Sequence, residues 1–131
     1  MKKVLTFGTF DKFHKGHEYY LSEAKKYGDR LYVVIARDST VLKVKERSPR
    51  NNQTKRMATV YECEDVDEVR IGEEGDKYKV IEEIKPDVIC LGYDQTAFTD
   101  KLEEELKKRN ILAKIIRIKS YIPEVYKSSK M

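Results

Sequence analysis

Two histidines three residues apart, His14 and His17, lie in a glycine-containing stretch near the start of the chain. The stretch reads Gly-Thr-Phe-Asp-Lys-Phe-His-Lys-Gly-His and covers residues 8–17. Imidazole N–H groups and the unpaired amides of a helix N-terminus both bind phosphate oxygens. No further histidine, cysteine or carboxylate follows at a metal-ligand spacing, so we expect no metal site here. The residues alone leave two interpretations open: a phosphate site, or one histidine that holds a loop and one that caps a helix.

The elements that must position this stretch follow from the apolar pattern. Strands are predicted at 1–8, 30–36, 67–71, 87–91 and 112–118, and helices at 17–27, 54–63, 77–84 and 99–109. Several strands are nearly continuous apolar runs, which is typical of a parallel sheet covered on both faces. The alternation predicts one doubly wound, Rossmann-like α/β domain with a five-stranded parallel sheet over residues 1–131. Gly28 is predicted to end the first helix, and Asn52 or Thr54 to cap the second.

Charge is distributed unevenly along the chain. Residues 43–56 contain six basic residues against Glu46 alone, whereas residues 61–76 contain eight carboxylates against Arg70 alone. A local basic segment favours a small polyanionic ligand over nucleic acid. Ser-Pro and Asn-Asn pairs interrupt the segment, so we predict a mobile loop there.

Bulk composition excludes other classes. Charged residues make up 38% of the chain, and no apolar run approaches the roughly 20 residues needed to span a bilayer. No secretory leader is visible, because no apolar region follows Lys2 and Lys3. The two cysteines, Cys63 and Cys90, are too few for a disulfide framework. We therefore expect a cytoplasmic protein with no membrane partner, and Cys90 is expected to be a small core residue.

The stretch at residues 8–17 resembles the GTFDxxHxGH motif of cytidylyltransferase-like nucleotidyltransferases. The resemblance implies that His14 and His17 contact the nucleotide phosphates and stabilise charge in the transition state. It also implies nucleotide contacts for Gly8, Thr9, Phe10 and Gly16. In-line attack by an already ionised phosphate on an α-phosphorus needs charge stabilisation and no general base, which suits these groups.

The same resemblance assigns roles elsewhere in the chain. Lys45 is expected to clamp phosphate oxygens as a catalytic residue. Further phosphate or acceptor contacts are expected from Asp11, Lys43, Arg47, Arg56 and Lys127. Nucleotide contacts are expected from Gly92, Asp94, Ser128 and Ser129. Three simpler interpretations stay open: a solvated basic surface, an Asx turn at Asp94, and pairing of Arg56 with a carboxylate at a helix end.

Two stretches look like archaeal FAD synthases, which transfer AMP from ATP to FMN. They are Ala-Arg-Asp-x-Thr-Val with Lys-x-Lys-x-Arg at 36–47, and Leu-Gly-x-Asp-Gln-Thr-x-Phe at 91–98. The alternatives are a cytidylyltransferase that uses CTP and glycerol 3-phosphate, and a nucleotide-binding module without catalysis. The resemblance implies Mg²⁺ with the nucleotide. Relatives continue into a helix beyond the position of Met131, so either the tail is truncated or that helix is absent.

We also expect a homodimer. Exposed tyrosines could line its interface, and the sequence offers Tyr19, Tyr61 and Tyr78 without selecting among them.

Overall fold

The computed structural model describes residues 2–11, 15–45, 50–72, 78–92 and 101–118. Within these ranges the chain alternates strands and helices. The strands are β1 (Lys3–Gly8), β2 (Arg30–Ile35), β3 (Glu68–Ile71), β4 (Val88–Gly92) and β5 (Lys114–Ile118). The helices are α1 (Lys15–Lys25), α2 (Asp38–Lys45), α3 (Gln53–Tyr61), α4 (Lys79–Ile84) and α5 (Leu102–Lys108).

All five strands lie in one parallel sheet with the order β3-β2-β1-β4-β5. The chain builds the sheet outward from β1 to β3 and then returns to place β4 on the other side of β1. The order therefore reverses between β1 and β4, where doubly wound folds bind ligands at the carboxyl ends of the strands. The predicted Rossmann-like sheet is confirmed.

Helices cover both faces of the sheet. Leu21 and Ala24 of α1 and Val60 of α3 pack in one apolar cluster, while the buried residues of α4 and α5 pack in another. The four residues from Val4 to Phe7 are all buried, because β1 is central and lies between both clusters. Cys90 is fully buried in β4, as its strand pattern predicts.

The prediction of a mobile loop in residues 43–56 is wrong where that segment starts, because residues 43–45 belong to α2. The backbone forms α2 from Asp38, and the N–H of Val41 donates to the carbonyl of Arg37 at 2.9 Å. Val41 is buried, so its side chain anchors this eight-residue helix to the core. The Asp-Ser-Thr run at its beginning is typical of a helix start.

Two predicted helix ends have different outcomes. Asn52 caps α3, because its Oδ1 accepts the N–H of Lys55 at 2.8 Å. Gly28 does not adopt a left-handed conformation, and α1 ends at Lys25. A Cβ at Gly28 would lie 2.8 Å from the carbonyl oxygen of Lys2, so close backbone approach requires glycine there.

None of the described helices is long and apolar enough to cross a membrane. The cytoplasmic location stays a prediction.

Candidate active site

The end of β1 and the start of α1 lie at the carboxyl edge of the sheet, next to the β1–β4 switch. Gly8 is the last residue of β1, and Gly16 and His17 are the second and third residues of α1. A glycine is needed at position 8, because a Cβ there would lie 2.5 Å from the Phe10 ring. The predicted strand before residues 12–14 and the predicted helix after them are thus both present.

Phe10 folds back into the protein beneath this junction. Its φ is 55°, a left-handed conformation that is uncommon for a bulky residue, and its side chain is 4% exposed. The ring lies edge-on to the imidazole of His17, with the two ring centroids 5.3 Å apart. Phe10 therefore supports His17 from the core side, a use of its side chain that goes beyond the predicted backbone contact.

Arg56 ties three segments of this edge together. Its side chain is completely buried, and Nη1 donates to the carbonyl of Thr9 at 2.7 Å. Nε donates to the carbonyl of Asn51 at 3.0 Å, and Nη2 donates to Oδ1 of Asp38 at 2.7 Å. The simpler interpretation, in which Arg56 pairs with a carboxylate at a helix end, is confirmed, because Asp38 is the first residue of α2.

Asp11 links two of these segments, the one after β1 and the one before α3, through hydrogen bonds. Its Oδ2 accepts the N–H of Arg50 at 2.6 Å, and its Oδ1 accepts the N–H of Asn51 at 2.9 Å. Partial burial raises the pKa of the Asp11 carboxyl, but these N–H donors and the positive charge of Arg56 outweigh it, so the net pKa is below the ordinary value. The described contacts engage both carboxylate oxygens with backbone, so they hold the segment after β1 in place.

The ends of β4 and β5 complete the edge. Gly92 is the last residue of β4, and its carbonyl accepts a hydrogen bond from Nη1 of Arg117 at 2.8 Å. Arg117 lies opposite Leu91 in the parallel register and is exposed. At the switch point, Gly8 and His17 therefore belong to the end of β1 and the start of α1, and Gly92 and Arg117 to the ends of β4 and β5.

Several predicted site residues are not described as side chains. The structure gives the backbone of Lys43 and Lys45, which lies at the C-terminal end of α2. Outside the described residues lie His14, Arg47, Asp94, Lys127, Ser128 and Ser129. Among the residues that are described, no three histidine, cysteine or carboxylate side chains are grouped as a metal ion would require.

Sequence reasoning did not single out Asp38, Arg117 and Tyr20 as site residues. The hydroxyl of Tyr20, on α1, donates to the carbonyl of Cys90 at 2.9 Å. A tyrosine on an otherwise apolar helix face is a signal in itself, since its hydroxyl needs a partner when buried. Asp38 and Arg117 carry no comparable local signal.

The chain has relatives among known families and proteins. The family model described as Cytidylyltransferase-like matches residues 5–131. A FAD synthase from Methanothermus fervidus is 48% identical over 117 residues, which are 87% of this chain and 80% of that protein. A FAD synthase from Thermoplasma volcanium is 41% identical over 131 residues, which are 100% of this chain and 92% of that protein.

Solved structures agree on the fold. A structure titled as a lipopolysaccharide core biosynthesis protein from Thermoplasma volcanium matches with a TM-score of 0.87 and 43% identity, covering 93% of this chain and 99% of that one. A pantoate-beta-alanine ligase from Francisella tularensis matches with a TM-score of 0.67 and 19% identity, covering 92% of this chain and 60% of that one. The second likeness bears on the fold alone.

Proposed function

Since the chain belongs to the cytidylyltransferase-like family of nucleotidyltransferases, we propose that it transfers AMP from ATP to the phosphate of FMN, giving FAD and pyrophosphate. The observation that carries the transfer chemistry is the position of His17 in the first turn of α1, supported by Phe10 beside the β1–β4 switch. The choice of FMN is supported by relatives named FAD synthase that are 40–48% identical over most of the chain.

A phosphate oxygen of FMN attacks the α-phosphorus of ATP in line with the bond to the β-phosphate. The new O–P bond forms as the old one breaks, and pyrophosphate leaves with the electron pair. The attacking phosphate is already ionised at neutral pH, so no side chain has to remove a proton. The protein therefore has to orient both substrates and stabilise the charge that develops on the α-phosphate and the leaving group.

We assign that task to His17 and the first turn of α1. The imidazole can donate an N–H to a phosphate oxygen, and the dipole at a helix N-terminus favours an anion. We assign His14 and Lys45 the same kind of contact, and Ser128 and Ser129 contacts to the β- and γ-phosphates. Mg²⁺ bound with the triphosphate would neutralise charge on its oxygens, and we assign no described side chain to hold it.

We assign the remaining predicted site residues three kinds of role. Backbone contacts to the nucleotide are assigned to Gly8, Thr9, Phe10, Gly16 and Gly92, with Asp94 at the base or ribose. Lys43, Arg47 and Lys127 are assigned to phosphate groups. The described contacts of Asp11 and Arg56 support an indirect role, in which both residues hold the segments that bind substrate.

The test is a substrate panel with the purified chain and Mg²⁺. ATP and CTP are each combined with FMN, glycerol 3-phosphate or phosphopantetheine, and both pyrophosphate and the joined product are measured. We expect product with ATP and FMN. Product with CTP and glycerol 3-phosphate would establish the cytidylyltransferase alternative instead. A nucleotide-induced rise in melting temperature without pyrophosphate from any pair would indicate a binding module.

The homodimer also stays a proposal. Tyr61 is 64% exposed, whereas Tyr19 and Tyr78 pack against the two apolar clusters. Tyr61 is thus the best placed of the three for a subunit contact. Light scattering of the wild type and Tyr61→Asp should show a dimer that the substitution weakens, and a wild-type monomer at assay concentrations would contradict the proposal.

A further inference from the structure

The two central strands stop pairing before they end. β1 and β4 pair from Val4 opposite Val88 to Thr6 opposite Cys90. Beyond this point β1 continues beside β2, where Gly8 lies opposite Ile35, and β4 continues beside β5. The two strands therefore no longer pair at the switch point. We call the gap between their ends the β1–β4 split, and its width sets the position of Gly8 relative to Gly92.

The hydroxyl of Tyr20 lies in this split. It donates to the carbonyl of Cys90, in the last paired position of β4, at 2.9 Å. It also lies 3.4 Å from the carbonyl oxygen of Phe7, in the first position of β1 past the paired region. A single hydroxyl from α1 thus connects both strand ends. Burial raises the pKa of the Tyr20 hydroxyl, so the group keeps its proton and remains a donor throughout the pH range of an assay.

The ring of Tyr20 is also connected to His17, through the ring of Phe10. Its centroid lies 6.2 Å from that of Phe10, and Phe10 in turn lies edge-on to His17 at 5.3 Å. His17 and Tyr20 are three residues apart on α1, so they share one face of the helix. Offset and edge-to-face aromatic pairs at these distances are attractive and directional.

We propose that Tyr20 is a positioning residue of the nucleotide site, fixing the width of the β1–β4 split through its hydroxyl and the orientation of His17 through Phe10. The inference deepens the proposed function and rests on it for the identity of the ligand. Tyr20 is not assigned a contact with substrate. Its effect comes through Gly8, Gly92 and His17, where a shift of about 1 Å can cost up to about 100-fold in rate.

Tyr20→Phe removes the hydroxyl and keeps the ring, so it tests directly whether the hydroxyl fixes the width of the β1–β4 split. The matched control is Tyr27→Phe, which makes the same change just past the far end of α1, where Tyr27 is 41% exposed. We expect Tyr20→Phe to weaken ATP binding about threefold to tenfold and to lower kcat about tenfold, with the KM for FMN unchanged. Tyr27→Phe should match the wild type in all three quantities.

Two readouts separate positioning from general destabilisation. Calorimetry measures ATP affinity without any acceptor, at a temperature where all variants are folded by circular dichroism. Nuclear magnetic resonance follows the imidazole signals of His17, assigned by their loss in His17→Ala. We expect these signals to move in Tyr20→Phe and to stay in place in Tyr27→Phe. Unchanged His17 signals, or unchanged ATP affinity, would overturn the proposal.

The outcome is distinguishable from failure of the proposed function. If the wild type makes no FAD while Tyr20→Phe weakens nucleotide binding and moves the His17 signals, then FMN is wrong as acceptor and the role of Tyr20 stands. If FAD is made and Tyr20→Phe behaves like Tyr27→Phe, then the activity stands and the role of Tyr20 is refuted. A wild type that binds neither ATP nor CTP refutes both.

Discussion

Arg56 offers the sharpest test of how the site is held together. Its buried guanidinium makes three hydrogen bonds, to the carbonyls of Thr9 and Asn51 and to the carboxylate of Asp38. Arg56→Met keeps most of the side-chain volume and removes every donor. We expect this variant to be substantially less stable than the wild type, because the acceptors lose their partner inside the protein.

The magnitude follows from the surroundings of each bond. Each of the two backbone carbonyls that loses its donor lowers the free energy of unfolding by about 1 kcal/mol, because a buried acceptor is left without a hydrogen bond. The ion pair with Asp38 contributes about 1 kcal/mol, because the Asp38 side chain is 41% exposed and solvent screens it. The total is about 3 kcal/mol, which for a domain of 131 residues corresponds to a fall in Tm of about 10 °C.

Urea unfolding followed by circular dichroism gives the free energy, and thermal melts give Tm. Asp38→Asn is the matched variant, because it removes the charge and keeps an oxygen acceptor. It should cost about 1 kcal/mol or less. Equal losses in Arg56→Met and Asp38→Asn would refute the argument that the carbonyl bonds dominate. An unchanged Tm in Arg56→Met, together with a raised KM for the acceptor, would show instead that Arg56 serves substrate directly.

Two further predictions concern acid stability and the strand end. The pKa of the Asp67 carboxyl is raised by partial burial but lowered more by Lys25 and a backbone N–H, so it lies below its unfolded value of about 3.9. That contribution is present above about pH 4 and is lost as the pH falls through the folded pKa. The stability gap between wild type and Asp67→Asn, measured by urea midpoints, should therefore shrink from pH 6 to pH 2.5, and a gap that widens would contradict the assignment. Gly8→Ala places a Cβ 2.5 Å from the Phe10 ring and should weaken ATP binding at least tenfold by calorimetry. Gly28→Ala, which places a Cβ 2.6 Å from a valine side chain at the opposite edge, should lower Tm and leave ATP affinity unchanged, so equal ATP affinities in both variants would refute the local role of Gly8.

The sheet was predictable because β1, β2 and β4 are nearly continuous apolar runs. The run from Val4 to Phe7 has no periodicity of two, and that pattern correctly indicated a parallel strand covered on both faces. The ends of all five strands lie within two residues of their predicted positions.

The helix α2 was not predictable in the same way. Among its described side chains, Val41 is the one that is buried. Its first residue depends on distant partners, because the N–H of Asp38 donates to Oε1 of Gln53 and its carboxylate accepts from Arg56. A short helix gains most of its stability from tertiary contacts, which a local pattern does not contain.

The site shows the same division. The place of His17 in the first turn of a helix after β1 followed from glycine and helix-start signals. The left-handed backbone of Phe10 did not, because the packing of its ring in the core, including that against His17 and Tyr20, offsets the cost of that conformation. The burial of Arg56 was equally hidden, since arginine is rarely buried unless specific partners surround it.

The most direct measurement follows the α-phosphate of ATP labelled at that position into the product, with FMN as acceptor and His17→Ala beside the wild type. Tyr27→Phe, at an exposed position just past the end of α1, serves as control. We predict that the wild type and Tyr27→Phe place the label in FAD with one pyrophosphate released per transfer, and that His17→Ala loses about 100-fold in rate while remaining folded by circular dichroism. Label that never enters FAD, or a His17→Ala enzyme as fast as the wild type, would contradict the proposed transfer and the role of the histidine.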